Sequence, residues 1–126
     1  MKTQPIVQLF RFEESTRKPG RVLSSVRIGD VYMSRLTIEP GITTGNYFHK
    51  KTKVMFYVER GDVLASFEHV KTGEKKKLVI VPDKHVIHVP PFVAHATKNV
   101  GKRKAVLVFF SNKALRSEDC FDHRVL

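Results

Sequence analysis

The chain has one cysteine, Cys120, no tryptophan, and only 12 acidic residues against 23 lysines and arginines. A single cysteine excludes an internal disulfide framework, leaves core burial to hold the fold, and fits a reducing compartment. Cys120 itself reads as a bystander in the tail. No stretch approaches the roughly 18 consecutive apolar residues that a membrane-spanning helix needs. The opening Met1-Lys2-Thr3-Gln4-Pro5 lacks the apolar core of a signal peptide. These absences make the cytoplasm the expected compartment and a membrane an unexpected partner. Helical periodicity is almost missing too, which points away from a bundle.

What is present suits a small globular domain. Hydrophobic residues make up 41% of the chain, nine of them Phe, enough to build a core rather than a disordered polymer. One domain spanning 1–126 is expected, with a core over about 20–112 and a C-terminal tail over 113–126. The formal net charge of +11 attracts anions in general: nucleic acid, an acidic surface, or a small molecule carrying a diphosphate. The lysines are scattered, mostly in or beside turns, with no recognition helix, zinc-finger spacing or stacking aromatics. Nucleic acid is therefore not the expected partner; a small anionic ligand is.

Short β-rich runs succeed one another along the chain. Residues 5–12 (PIVQLFRF) read as a strand closed by the polar stretch 13–20. Residues 21–28 and 31–38 flank Gly29-Asp30, a two-residue hairpin signal. Further runs cover 46–49, 54–59, 63–69, 75–81, 85–89, 94–99 and 104–111, and 121–125 offers a closing strand. Roughly a dozen short strands with turn signals between them predict an all-β sandwich or barrel, best a jelly roll.

Two stretches carry the chemistry. The first is Gly41-Ile42-Thr43-Thr44-Gly45-Asn46-Tyr47-Phe48-His49, followed by Val54 and Gly61; the second is Pro90-Pro91-Phe92-Val93-Ala94-His95-Ala96-Thr97-Lys98-Asn99. Tyr47 and His49 are two apart, so a strand sends both the same way. Val54, Phe56 and Val58 form the apolar, inward-looking set of the next strand. His95 follows the tight Pro90-Pro91 turn. The spacing resembles the two motifs of the cupin superfamily, G-x5-H-x-H-x(3,4)-E-x6-G and P-x-G-x2-H-x3-N, with His49 and His95 kept. Tyr47 stands in place of the first His, Val54 of the Glu and Phe92 of the Gly. Residues 31–46, 54–61 and 106–112, with the G-N-x-x-H-K run at 45–50, look similar to the RmlC-like branch. That branch holds sugar-nucleotide epimerases and ketoisomerases and the C-terminal cupin of capsular polysaccharide assembling enzymes.

The resemblance implies a single-domain, RmlC-like jelly-roll β-barrel, a homodimer, and an acid/base centre in the hollow. His49 and His95 are then the catalytic imidazoles and Tyr47 the hydrogen-bond donor, in an epimerase or keto-isomerase acting on a nucleotide-activated keto or deoxy sugar. Lys50 and Lys51 stand near the mouth as contacts for the diphosphate, with Asn46, Asn99 and His88 as further substrate contacts. The position of His88, two before Pro90, leaves its facing open. Thr44 stands where relatives often carry Arg. In cupins this place holds a metal through three His and one Glu, and a divalent ion needs about three or four donors. Tyr47 and Val54 at two of those positions disfavour it, so no cofactor is expected. Two other readings stay open: a non-catalytic cupin binding a small anion or partner protein, and a metal-dependent one using His49, His95 and a further His such as His85 or His88.

Overall fold

The computed structural model describes residues 6–114 and 118–126. The chain is all-β: eleven strands among the described residues form two antiparallel sheets. In chain order they are β1 (Glu13–Ser15), β2 (Arg21–Ile28), β3 (Val31–Ile38), β4 (Thr43–Phe48), β5 (Val54–Arg60), β6 (Val63–His69), β7 (Lys75–Ile80), β8 (Ile87–Val89), β9 (Val93–Asn99), β10 (Ala105–Ser111) and β11 (Phe121–Asp122). One sheet runs β1-β2-β3-β10-β5-β8 and the other β11-β4-β9-β6-β7. This is the expected all-β jelly roll.

The β2–β3 hairpin closes on Gly29-Asp30, with Ile28 opposite Val31 and Gly29 at φ 63°. A positive φ at the first central residue gives a turn whose twist matches the flanking strands. Alternation then sorts the side chains. Leu36 and Ile38 on β3, Val54, Phe56 and Val58 on β5, and Leu107 and Phe109 on β10 point between the sheets and are buried. Phe56 and Phe109 are partners in register, and their rings stack with centroids 4.9 Å apart. Val106 and Val108, on the other face of β10, are also buried. The strand is central, and Arg35 and Tyr57 flank Val108 in register.

The predicted strand at 5–12 does not form. Pro5 lies outside the described residues; 6–12 make no strand, and Ile6, Val7 and Leu9 are largely exposed. The first strand is instead Glu13–Ser15, inside the stretch read as a turn. β propensity alone does not hold a strand without a ladder partner.

Phe92, the non-Gly residue at the motif's Gly position, adopts a left-handed backbone conformation with φ 67°. A side chain there carries strain. Its amide donates to His49 O at 2.7 Å, its carbonyl accepts from Val70 N at 2.9 Å, and Lys71 Nζ sits 3.9 Å above its ring. Phe92→Ala keeps the strained φ and loses the ring, whereas Phe92→Gly loses the ring but relieves the strain. The Ala variant is therefore expected to be less stable than the Gly variant by about 1 kcal/mol in urea denaturation; equal stabilities would refute the strain.

Candidate functional site

A bulge aims the site. Thr44 faces inward, its Oγ1 2.9 Å from Thr97 Oγ1. Simple alternation would then send Asn46 inward and Tyr47 out. The β4–β9 register shifts between Gly45 and Tyr47, and Asn46, at φ 66°, is the extra residue. One inserted residue reverses the facing downstream, so Tyr47 lands opposite His95 with its ring toward the interior. Gly45 permits the close approach, since a Cβ there would sit 2.7 Å from His95 O and 2.9 Å from Ala96 Cα.

Tyr47, His49 and His95 thus converge. Ring centroids are 4.9 Å apart for Tyr47–His95, 5.3 Å for Tyr47–His49 and 6.0 Å for His49–His95. His49 and His95 are only 2% and 3% exposed, so they meet almost no water. His49 Nδ1 bonds the backbone carbonyl of Asp119, and His95 Nδ1 approaches Val93 O at 3.4 Å. A carbonyl only accepts, so each Nδ1 carries the proton and each Nε2 offers a lone pair. Neither Nε2 has a hydrogen-bond partner among the described residues, an expensive arrangement in a buried place.

Burial pushes the His95 pKa down to about 4, with the Val93 carbonyl acting against it and His49 adding to it. The ring is therefore neutral at pH 7 and able to accept a proton. Burial pushes the Tyr47 phenol up to about 12, with the charge of Cys120 adding and that of Arg21 opposing. It is protonated and can donate. Two imidazole nitrogens with bare lone pairs lie beside a hydroxyl donor: equipment for moving a proton to and from carbon.

The C-terminal segment lies across this centre as a strap. Besides the Asp119 carbonyl on His49, the Asp119 carboxylate accepts from Lys50 N (2.9 Å), Lys51 N (2.8 Å), Thr52 N (2.7 Å) and Thr52 Oγ1 (2.8 Å). Partial desolvation raises the Asp119 pKa, but these four bonds together hold it well below the usual carboxylate range. β11 pairs with β4, placing Phe121 opposite Phe48. Ser66 Oγ donates to Val125 O at 2.8 Å, and Asn46 Oδ1 accepts from Val125 N and Leu126 N. Cys120, in the same segment, lies close enough to Tyr47 for a thiolate there to raise the phenol pKa further.

The other expected contacts fall elsewhere. His88 is exposed, opposite Met55 on the outer face of its sheet, because β8 pairs with β5 with Val54 opposite Val89. It lines an outer groove of about 500 Å³ with Met55 and Phe110, away from the His pair. Asn99 is fully buried and structural: Nδ2 donates to Ile38 O (2.9 Å) and Arg103 O (2.7 Å), and Oδ1 accepts from Gly101 N (2.9 Å). Asn46 holds the strap. Lys50 and Lys51 give backbone amides to Asp119, and the Lys50 ammonium lies 4.3 Å over the Phe121 ring. Reading the motifs alone misses Arg21, which lines the interior cavity with Thr44, Tyr47, His95, Thr97 and Phe109. That cavity measures about 20 Å³, room for roughly one water molecule.

The donor set does not complete the metal centre that the fold family implies. Two imidazole nitrogens are offered, Val54 has no donor atom, and a phenol held near pKa 12 is a poor ligand. Among the described residues no group of three or more His, Cys, Asp or Glu could hold a metal ion.

Among the described residues no helix is long and apolar enough to cross a membrane. A search of curated protein sequences finds no match. The fold is similar to that of the capsular polysaccharide assembling protein CapF from Staphylococcus aureus, with TM-score 0.82 and 22% identity over 93% of this chain and 35% of that one. Oxalate oxidase in complex with glycolate matches at TM-score 0.68 and 21% identity over 79% of this chain and 54% of its own. An oxalate decarboxylase matches at 0.74 and 15% over 93% and 34%. The chain spans about a third of the length of CapF, and at these identities the likeness is one of fold. A family model matches residues 20–122, and with the jelly roll and the His pair in place, the chain belongs to the polysaccharide biosynthesis C-terminal domain family, on an RmlC-like cupin fold.

Proposed function

We propose that the chain acts on a nucleotide-activated keto or deoxy sugar as an epimerase or keto-isomerase, by acid/base proton transfer. The observation that supports this is the pair of buried, bare Nε2 lone pairs on His49 and His95 beside a protonated Tyr47. One imidazole removes the proton from the carbon next to the sugar carbonyl, and the C–H electron pair moves into an enolate. The protonated Tyr47 returns a proton to carbon, on the opposite face for epimerisation, and the new imidazolium gives its proton back to the Tyr47 phenolate through solvent.

The substrate's diphosphate suits the basic surface, with Lys50 and Lys51 beside the mouth. The interior cavity of about 20 Å³ does not admit a sugar ring, so binding on this reading lifts the strap around Asp119. The working form is a single-domain homodimer in the cytoplasm; an apolar ribbon at 6–12, with Leu9 95% exposed, is suited to being covered by a second copy.

Incubating the protein with dTDP- and UDP-linked 4-keto-6-deoxy sugars in deuterated water tests the reaction. Deuterium is expected at the ring carbon beside the carbonyl, and its absence with both overturns the enzyme reading. The small cavity favours one other reading, a non-catalytic cupin that binds a small anion or partner. A nucleotide or small anion that raises the melting temperature without any solvent exchange is its signature.

A further inference from the structure

The interior of the barrel contains a cation that neither motif includes. Arg21 opens β2, and register places Arg21, Leu23 and Ser25 opposite Ile38, Leu36 and Ser34 of β3. Partners in register share a face, and Ser34, Leu36 and Ile38 are all buried. Leu23 packs against the core, and Ser25 Oγ lies 3.0 Å from Ser34 Oγ. Arg21 therefore belongs to the inward set, at the end of β2 nearest the site, and its side chain lines the same cavity as Tyr47, His95 and Thr97. Among the described residues it is the one cation lining that cavity, and no carboxylate lies within ion-pair distance of it. The nearby lysines are engaged outside: Lys50 over Phe121 and Lys71 over Phe92.

A half-buried guanidinium that shares its cavity with Tyr47 and with His95, whose Nε2 is bare, and that has no carboxylate partner among the described residues, is arranged for an oxyanion supplied by a ligand. We infer that Arg21 is the cationic arm of an oxyanion site in this cavity, and that in the reaction proposed above, on which this part rests, it takes the carbonyl oxygen of the substrate as that oxygen becomes an enolate. Proton removal beside a carbonyl moves a full negative charge onto oxygen; neutral His95 and the Tyr47 hydroxyl cannot balance it, whereas a fixed guanidinium does so most strongly where water is excluded.

Two measurements on the full chain separate this inference from the sugar chemistry. In deuterated water with the 4-keto sugar nucleotides, Arg21→Gln is expected to lower kcat for exchange about 100-fold with KM changed less than about threefold, and Arg21→Lys to restore part of the rate. Arg21→Gln exchanging within about threefold of wild type, or losing only KM, overturns the assignment. Formate, a planar oxyanion, is then titrated while the His95 ring signals are followed by NMR. Saturable shifts are expected with the wild type and Arg21→Lys and are lost in Arg21→Gln, whose amide spectrum verifies folding. If the wild type shows no sugar exchange but formate binding depends on Arg21, the sugar reading falls and the oxyanion site stands. Formate binding unaffected by Arg21→Gln, or no saturable binding together with no exchange, refutes the oxyanion site.

Discussion

Replacing His95 with Phe is expected to lower solvent exchange of a 4-keto sugar nucleotide by about 10²- to 10⁴-fold while leaving the fold as stable as before, or slightly more so. The two effects have one cause. His95 is 3% exposed, and its Nε2 has no partner among the described residues, so the native state carries a buried acceptor whose desolvation is uncompensated. A ring without nitrogens removes that cost and sacrifices only a 3.4 Å contact with Val93 O. The proton acceptor disappears with it. Urea denaturation and deuterium incorporation measured on the same preparation check the pair. A variant that loses several kcal/mol of stability would make His95 an ordinary core residue, and one that exchanges normally would remove it from the chemistry.

The same ring sets a pH dependence. Its folded-state pKa of about 4 lies below the ordinary value of 6.5, so between those values the unfolded chain binds the extra proton. Stability therefore rises with pH across that window. The contribution is complete above about 6.5, lost below about 4, and on the order of 3 kcal/mol. In His95→Phe this portion of the acid sensitivity should vanish.

Asp119→Ala is expected to release the C-terminal strap and cost about 3 kcal/mol, because one carboxylate serves three backbone amides and the Thr52 hydroxyl, and charge-assisted bonds are the stronger kind. Asp119→Asn keeps acceptor capacity without the charge and should fall between. Since the native carboxyl is held well below its ordinary pKa of 3.8, its contribution is present above that value and disappears as the pH falls further. Hydrogen exchange should show the amides of Lys50, Lys51 and Thr52 losing protection while Phe56 and Leu107 keep theirs. Unchanged protection at Lys51 and Thr52 would refute the clamp.

The strand pattern was legible because alternation and turn residues are local signals: β2, β3 and β6 occur where the runs 21–28, 31–38 and 63–69 place them. The meeting of Tyr47, His49 and His95 was legible from two-residue spacing and motif geometry, although the bulge at Asn46 that turns Tyr47 inward leaves no local trace beyond Gly45-Asn46. His88 was not legible, since a three-residue strand beside prolines takes its facing from its partner β5. Asn99 looked like a ligand contact because buried amides serve scaffolds and substrates alike. Arg21 could have been found by counting back two residues from Leu23. Asp119 could not: its partners lie 67 to 70 residues away, beyond the reach of any sequence period.

That separation has a consequence for biogenesis. Contacts spanning about 70 residues close slowly, because long loops must be ordered before they are rewarded. A nascent polypeptide can pair most of its ladders before Asp119 has been synthesised, so the carbonyl that fixes the tautomer of His49 follows ten of the eleven strands described. On the reaction proposed above, activity should thus lag behind barrel assembly during refolding, as a slow kinetic phase nearly silent in far-ultraviolet circular dichroism.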